Sequence, residues 1–188
     1  MAKVRCDWCT NSEIYVKYHD EEWGEPVYED RQLFEMLVLE SFQAGLNWLT
    51  ILKKREGFRS AFDEFDYKLI AKYSEEKISE LLQNENIIRH RGKIEATITN
   101  AKAFIEIQKE FGSFSDYIWN YVDGQPKLNS FSQLNEVPAH TELSQTIAKD
   151  LKKRGFKFLG PTTVYAFMQT TGIVNDHLTS CFKHKKSA

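Results

Sequence analysis

Helical periodicity along nearly the whole chain is the feature that most constrains its fold. Apolar residues recur three and four positions apart in segment after segment, and no run of period-two alternation is long enough to predict a sheet. The clearest segment follows Asp30, a residue type that favours the helix N-cap. Leu33 and Leu37 share one face there, and Gly45 is expected to end the helix. The pattern predicts an all-α fold.

The same pattern and its glycine and proline boundaries place the remaining helices. They are expected from Asn47 to Gly57, around Leu69 to Tyr73 and Ile78 to Leu82, from about Lys93 to Phe111, from Thr141 to Gly155, and from Gly160 to Gly172. The polar stretch 123–140 contains Pro126 and Pro138 and is interpreted as a long connection. We expect one domain, 1–188, with this connection as the candidate boundary between two helical lobes.

Composition narrows the class of protein. Hydrophobic residues make up 41% and charged residues 28% of the chain, which is globular rather than disordered. No apolar run approaches the roughly 18 residues of a membrane span, and the start does not resemble a secretory signal, so a cytoplasmic protein is expected. Three cysteines argue against a disulfide framework and leave metal binding or simple burial. The polar, basic segment Phe182 to Ala188 is expected to be a frayed tail.

A possible nucleic-acid contact must come from local charge, because the formal net charge is only −2. The segment LKKRGFKFLGPTTVYAFM at 151–168 predicts two short helices joined by a hairpin, with Gly155 and Gly160 at its edges. Free amides at a helix N-terminus bind phosphate well. Four basic residues lie nearby: Lys152, Lys153, Arg154 and Lys157. An ordinary turn with solvated lysines explains the segment equally well. The patches 53–55 and 89–93 are weaker, and a structural role is favoured for each.

Four possible metal ligands lie near opposite ends of the chain: Cys6, His19, His177 and Cys181. The last two are four positions apart, so on a helix they would share one face. Two cysteines and two histidines satisfy tetrahedral zinc and leave no open position, which predicts a structural site. Cys9 competes with Cys6 as the ligand, and histidines buried without a metal are commoner, so spacing alone leaves these alternatives open.

A carboxylate on an apolar helix face is the main candidate for chemistry. Glu40 lies four residues after Met36 and three after Leu37, in the stripe that should face inward. A buried carboxylate is costly, which favours a role in catalysis or ligand binding, although an ion pair inside the bundle would also explain it. Aromatic residues crowd the nearby sequence. Most of them must fill the core, but a cage of rings beside one carboxylate would suit a flat cationic ligand. These rings are Trp8, Tyr15, Tyr18, Trp23 and Trp48.

Several motifs together resemble the DNA-3-methyladenine glycosylase I family. They are RCDW at 5–8, YHDEEWG at 18–24, LFEMLVLESFQAGLNW at 33–48, IIRHRGKI at 87–94 and GFKFLGPTTVYAFMQTTGIVNDH at 155–177. These stretches span nearly the whole chain in the family's order and spacing. The match is therefore far more specific than any one motif.

The resemblance implies a helix-hairpin-helix glycosylase fold that flips a damaged nucleotide out of double-stranded DNA, excises 3-methyladenine and leaves an abasic site. It implies that Glu40 contacts the lesion base and that Leu46 wedges into the gap in the duplex. Further implied roles are an aromatic pocket of Trp8, Tyr18 and Trp48 with Tyr15 beside it, DNA contacts at Gly155, Gly160, Thr162 and Thr163, and one zinc ion joining the two ends through Cys6, His19, His177 and Cys181. A monomer is expected.

One departure from the wider superfamily affects the mechanism. Helix-hairpin-helix glycosylases commonly carry a catalytic Asp two residues before a His, where this chain has Asn175 before His177. A base alkylated at N3 already carries positive charge and leaves as a neutral molecule, so we expect binding to do most of the catalysis, without a lysine nucleophile. A DNA-binding module without activity would leave Glu40 unexplained, and a zinc hydrolase would need an open coordination position.

Overall fold

The computed structural model describes residues 3–184, which are mostly helical. The helices are α1 (Glu13–Glu21), α2 (Asp30–Gln43), α3 (Trp48–Ala61), α4 (Tyr67–Ile70), α5 (Glu75–Gln83), α6 (Arg91–Phe111), α7 (Phe114–Trp119), α8 (Glu142–Lys153) and α9 (Pro161–Thr170). Single 3-10 turns lie at Asp7–Cys9, Asp63–Phe65, Asn120–Val122 and Leu134–Glu136. None of the helices in this described part is long and apolar enough to cross a membrane.

Helix α2 runs through the middle of the molecule. It packs against α3, α6, α7 and α9, and every residue from Leu33 to Phe42 is buried. The predicted cap is wrong by one residue, because the Glu29 side chain accepts the backbone N–H groups of Arg31 and Gln32. Asp30 instead accepts hydrogen bonds from the start of α7, at Phe114 N and Ser115 N. The enclosure of α2 places its residue 40 inside the protein.

Helix α3 continues through Gly57 to Ala61, so the end predicted at this glycine is wrong. A Cβ at Gly57 would clash with the carbonyl oxygen of Asn86, which packs directly against the helix. The glycine is therefore explained by close approach of another segment and not by termination. Helix α6 begins two residues earlier than predicted, with the His90 side chain accepting Lys93 N at its cap, and ends at Phe111 as expected.

The connection 123–140 contains a short strand, which corrects the all-α expectation in one detail. Strand β1 (Lys127–Leu128) pairs in parallel with β2 (Val174–Asn175). Two residues per strand are too few to give a period-two signal in the sequence. The main core cluster includes residues from both sides of the connection, such as Phe34 and Phe167.

The chain's two ends lie side by side. Phe182 N donates to Val4 O, and the Lys183 ammonium pairs with Glu25 and donates to Asp20 O. The expected frayed tail is therefore wrong for residues 182–184, because backbone and ionic contacts hold them. The rest of that tail, 185–188, lies outside the described residues.

Candidate active site

A cavity of about 250 Å³ lies beside the C-terminal end of α2, and we call it the base cavity. Helices α1, α2, α3 and α9, the connection and the C-terminal segment all contribute to its wall. Its lining brings together Glu40 and the aromatic residues that the sequence singled out. The full lining is Cys6, Trp8, Tyr15, Tyr18, Trp23, Glu40, Gln43, Trp48, Leu134, Val137, Ala166, Gln169, Thr170, Asp176 and Leu178.

Glu40 is only 3% exposed and forms no ion pair among residues 3–184. The alternative of a satisfied ion pair therefore does not explain its burial. The Thr170 hydroxyl donates to Glu40 Oε1 at 2.8 Å, and the Tyr18 hydroxyl donates to Thr170 at 3.1 Å. Burial raises the pKa of Glu40 to about 8, because the charged form loses its hydration, and the Thr170 hydrogen bond offsets only part of this effect.

Aromatic rings form one side of the base cavity. Trp8 meets Tyr15 edge to face with ring centroids 5.5 Å apart, and Tyr18 lies 5.7 Å from Trp48. Tyr15 is fixed at the start of α3, since its hydroxyl donates to Asn47 Oδ1 and accepts Leu49 N. The Trp48 Nε1 group is buried and has no hydrogen-bond partner among residues 3–184. A buried donor of this kind is costly, so this wall is better suited to a ligand than to a filled core.

Asp176 was not predicted from the sequence, but it also lines the base cavity and is 2% exposed. Its carboxylate accepts hydrogen bonds from Asn129 Nδ2, Tyr165 Oη and Gln169 Nε2 at 2.6, 2.6 and 2.8 Å. The preceding Asn175 makes a local turn instead, with its side-chain oxygen accepting His177 N. An acidic residue beside the predicted ligand His177 was a visible signal, but its three donors come from other segments of the chain.

The four predicted metal ligands Cys6, His19, His177 and Cys181 meet in one buried group, which we call the metal cluster. Their ligand atoms all lie within 4.8 Å of one another. Cys181 Sγ is 3.4 Å from His19 Nε2 and 3.6 Å from His177 Nδ1. Bonds of about 2.3 Å to sulfur and 2.0 Å to nitrogen separate the ligand atoms of a tetrahedral site by roughly 3.5 Å. The cluster could therefore hold a metal ion.

The surroundings of the metal cluster fix its ligands. His19 Nδ1 contacts the Asp20 carboxylate, and His177 Nε2 contacts Trp23 O, each at 2.9 Å. Partners of this kind orient metal-binding imidazoles. Burial lowers the pKa of both imidazoles, that of His177 to about 4, which favours the neutral form that binds metals. The expected helix through His177 and Cys181 is wrong, because a turn with Cys181 N donating to Leu178 O joins them.

Cys9 does not belong to the metal cluster. Its thiol is buried and donates to the carbonyl oxygen of Cys6 at 3.1 Å. The ambiguity between the two cysteines is therefore resolved by geometry in favour of Cys6.

The predicted hairpin joins α8 to α9 beside the base cavity. Gly155 adopts a positive φ of 95°, which favours glycine, and Gly160 is exposed at the N-cap of α9. Thr162 is exposed and Thr163 is half-buried in the first turn of that helix. The two threonines border a surface groove that also includes Gly45, from the turn that carries Leu46. Leu46 itself is 38% exposed.

Several basic residues are already engaged within the protein. Arg154 pairs with Glu110 and Asp150, which removes it from the group of free cations at the hairpin. Lys93 is buried and donates to Phe42 O and Ala44 O at the end of α2. This lysine therefore fixes the turn that leads to Leu46.

Two arginines of the two weaker patches are also paired. Arg55 pairs with Glu22 and Glu35, and Arg91 pairs with Glu75 and Glu95. The structural interpretation of both patches agrees with these contacts.

Comparisons with known proteins agree on one family. Residues 8–184 match the methyladenine glycosylase family. The chain is 50% identical to a DNA-3-methyladenine glycosylase of Haemophilus influenzae over 178 residues, 95% of this chain and 96% of the relative. It is 46% identical to DNA-3-methyladenine glycosylase 1 of Escherichia coli over 177 residues, 94% of this chain and 95% of the relative.

Solved structures give the same result. A crystal structure of a 3-methyladenine DNA glycosylase I superposes with a TM-score of 0.94 at 51% identity, covering 97% of this chain and 100% of the other. The Staphylococcus aureus glycosylase, described in a study of 3-methyladenine recognition, gives a TM-score of 0.95 at 38% identity with complete coverage of both chains, 100% each. The chain therefore belongs to the DNA-3-methyladenine glycosylase I family, whose members are hydrolases of N-glycosyl bonds.

Proposed function

We propose that the protein excises 3-methyladenine from double-stranded DNA by flipping the damaged nucleotide into the base cavity. The supporting observation is Glu40, a buried carboxyl group that has no ion pair in the described part of the chain and lies in a cavity walled by aromatic rings. A buried titratable group in a cleft indicates a functional site. The relatives from Haemophilus influenzae and Escherichia coli act, by name, on DNA-3-methyladenine.

The positive charge of the lesion explains how the base cavity would select it. The faces of Trp48 and Tyr18 attract a flat cation through their quadrupoles. Glu40 is mostly protonated in the free protein at neutral pH, because its pKa is about 8. A cationic base beside it favours the ionised form and lowers that pKa, so binding the lesion and ionising Glu40 are coupled. Neutral adenine lacks this gain and is rejected.

The same charge reduces the chemistry that the protein must supply. When the bond between C1′ and N9 breaks, its electron pair moves to the base, which leaves as neutral 3-methyladenine without needing a proton. Water then adds to C1′ and releases a proton to solvent. Among the described residues, none of those lining the base cavity is a lysine. A reaction through a lysine Schiff base is therefore not part of the proposal, and the product is an abasic site.

The groove beside the cavity supports a mode of DNA binding. Exposed Leu46 would enter the gap left by the flipped nucleotide. Backbone amides at the start of α9, around Gly160, Thr162 and Thr163, would hold a phosphate, with Gly155 allowing the tight hairpin. We propose that one copy of the chain performs the whole reaction, since every group named here lies on one chain.

We also propose that the metal cluster binds one structural zinc ion. Two thiols and two imidazoles are the ligand set that tetrahedral zinc prefers, and four protein ligands leave no position for a reactive water. The ion would join the N-terminal and C-terminal segments, which also supply Cys6 and Leu178 to the cavity wall. A zinc hydrolase has little support, because a catalytic zinc ion has three protein ligands and a fourth position open to water.

Release of radiolabelled 3-methyladenine from alkylated duplex DNA tests the proposal directly. We expect the purified protein to release the free base and leave abasic sites. Borohydride added during the reaction should trap no covalent adduct. A protein that binds the DNA but releases no base would be a binding module, and a trapped adduct would show a lysine mechanism.

A further inference from the structure

Two carboxyl groups line the base cavity, and their surroundings differ. Glu40 accepts one hydrogen bond, from Thr170, and burial raises its pKa to about 8. Asp176 accepts three hydrogen bonds, from Asn129, Tyr165 and Gln169. All three contacts have a neutral donor, and the Asp176 side chain only accepts in them.

We propose that Asp176 supplies a fixed negative charge that stabilises the cationic deoxyribose formed as the glycosidic bond breaks. This inference rests on the proposed function and adds a residue to it. Asp176 would act on the sugar, whereas Glu40 would act on the base.

The missing counter-ion is the observation that carries the proposal. Asp176 is 2% exposed, and no Lys, Arg or His within residues 3–184 pairs with it. Buried carboxylates are normally paired with a cation, because burying an isolated charge is costly. Three neutral donors offset part of that cost and leave the net negative charge at the edge of the cavity. A cation that forms transiently in the cavity would be stabilised by that charge.

The reaction creates such a cation. As the C1′–N9 bond breaks, its electron pair neutralises the base, and the positive charge moves to C1′ and O4′ of the sugar. Water then forms a bond to C1′, and its proton passes to solvent. The sugar carries positive charge in the transition state but not in the substrate. A fixed charge near it therefore lowers the barrier and not only the binding energy.

The anchoring of Asp176 suits this role, because preorganised charges need no rearrangement during the reaction. Tyr165 and Gln169 lie on α9, and Asn129 follows β1 in the connection. The competing interpretation is that Asp176 only ties these segments together. A stabilising charge predicts tighter binding of a cationic ligand than of a neutral ligand of the same shape, whereas a structural role predicts equal binding.

The first test needs no variant. DNA with a pyrrolidine abasic analogue, cationic at neutral pH, is compared with DNA carrying the neutral tetrahydrofuran analogue. We expect the wild-type protein to bind the cationic analogue tighter by on the order of tenfold or more, the effect of one opposite charge in a poorly solvated pocket. Equal affinities in a protein that releases 3-methyladenine would overturn this inference and leave the proposed function intact.

The second test uses Asp176→Asn, with Tyr165→Phe as the matched control. Asp176→Asn removes the charge, and we expect single-turnover release of 3-methyladenine to slow on the order of 10²-fold and the preference for the cationic analogue to disappear. Tyr165→Phe removes one donor but keeps the charge, so the preference should remain. Metal content is measured in both variants, because residue 177 is adjacent.

The two variants distinguish an effect of the Asp176 charge from an effect of its hydrogen bonds on the structure. If both lose the preference to the same extent, or if Asp176→Asn keeps it, Asp176 has only a structural role. Should Asp176→Asn fail to fold, the two analogues are compared in Glu40→Gln, which keeps Asp176 as a carboxyl group in the cavity lining. A remaining preference for the cationic analogue supports the proposal, and its loss overturns it.

Discussion

The metal cluster and the base cavity are neighbouring buried polar regions, and they differ in how fully their groups are satisfied. In the metal cluster the outer nitrogen of each imidazole has a partner, and each cysteine sulfur accepts a backbone N–H, from Leu178 or Lys183. In the base cavity the described residues give Asp176 three donors, but they give Glu40 only one and leave Trp48 Nε1 without a partner. Buried polar groups are nearly always satisfied. We therefore expect the metal cluster to have a structural role, and we expect Glu40 and Trp48 to contact a ligand.

Removing a ligand from the metal cluster should have the largest effect, and it should fall on stability. For Cys181→Ala we expect loss of bound zinc and a free energy of unfolding lower by about 4 kcal/mol, the linkage from a metal at 1,000 times its dissociation constant. For a chain of this size that is a fall in melting temperature of roughly 10 °C. Thermal unfolding and metal analysis measure it.

Cys9→Ala is the matched control for that experiment. Cys9 is buried beside Cys6 but lies outside the metal cluster, so this variant should keep its metal. If Cys181→Ala melts with the wild type, or if Cys9→Ala also loses the metal, the cluster described here does not stabilise the fold through a metal.

Substitution of Glu40 in the base cavity should lower activity, whereas loss of a cysteine from the metal cluster should lower stability. For Glu40→Gln we expect release of 3-methyladenine to slow on the order of 10²-fold, because a charge that stabilises the bound cation is lost. Glu35→Gln is the control on the same helix. Glu35 pairs with Arg55 and Arg59, so its change should cost roughly 1.5–3 kcal/mol of stability and leave excision intact. Equal activity of Glu40→Gln and wild type would remove Glu40 from its role.

The pH dependence of stability gives Glu40→Gln a second readout. The folded-state pKa of Glu40, about 8, lies above its usual value of 4.5, so folding favours the protonated form. The wild type therefore loses stability as pH rises from about 4.5 to about 8, and the loss levels off above that. The variant lacks this loss, so it should gain stability relative to the wild type across that window. A difference independent of pH would contradict the raised pKa.

Thr170→Val should have a smaller effect, on the pH profile of kcat/KM. The Thr170 hydrogen bond lowers the pKa of Glu40, so its removal should raise that pKa above about 8. Since the ionised form binds the cationic base in the proposed mechanism, excision should increase as pH rises through this pKa, and the increase should move to higher pH in the variant. Near neutral pH we expect a loss on the order of tenfold for each pH unit of the shift. An unchanged profile would show that Thr170 does not set the ionisation of Glu40.

The sequence predicted these regions unequally, for a physical reason. Glu40 was predictable because its position on an apolar helix face follows from local periodicity. The metal cluster was predictable as a residue set, although the helical argument for His177 and Cys181 was wrong. Asp176 and Thr170 were not identified, because their hydrogen-bond partners lie on other segments.

The fold also has features that local sequence predicts and features that depend on distant segments. Most helices follow from apolar spacing and glycine ends, whereas Gly57 lies inside α3 because Asn86 packs against it. The two-residue strands form only where the connection meets the segment after α9. Close tertiary approaches such as these leave no periodic signal in the sequence.

The smallest predicted effect comes from the unpaired indole. Trp48→Phe keeps an aromatic face in the base cavity but removes the N–H that lacks a partner, so the cost of burying that donor offsets the lost ring area. We expect stability within about 1 kcal/mol of the wild type and release of 3-methyladenine reduced by less than about tenfold. Trp119→Phe is the control, since Trp119 Nε1 donates to Val27 O at 2.8 Å and its loss leaves a carbonyl oxygen unpaired. Trp119→Phe should therefore destabilise the protein more than Trp48→Phe does. The reverse order in thermal unfolding would mean that the indole N–H of Trp48 is satisfied in solution, and the contrast between a satisfied metal cluster and an unsatisfied base cavity would then rest on Glu40 alone.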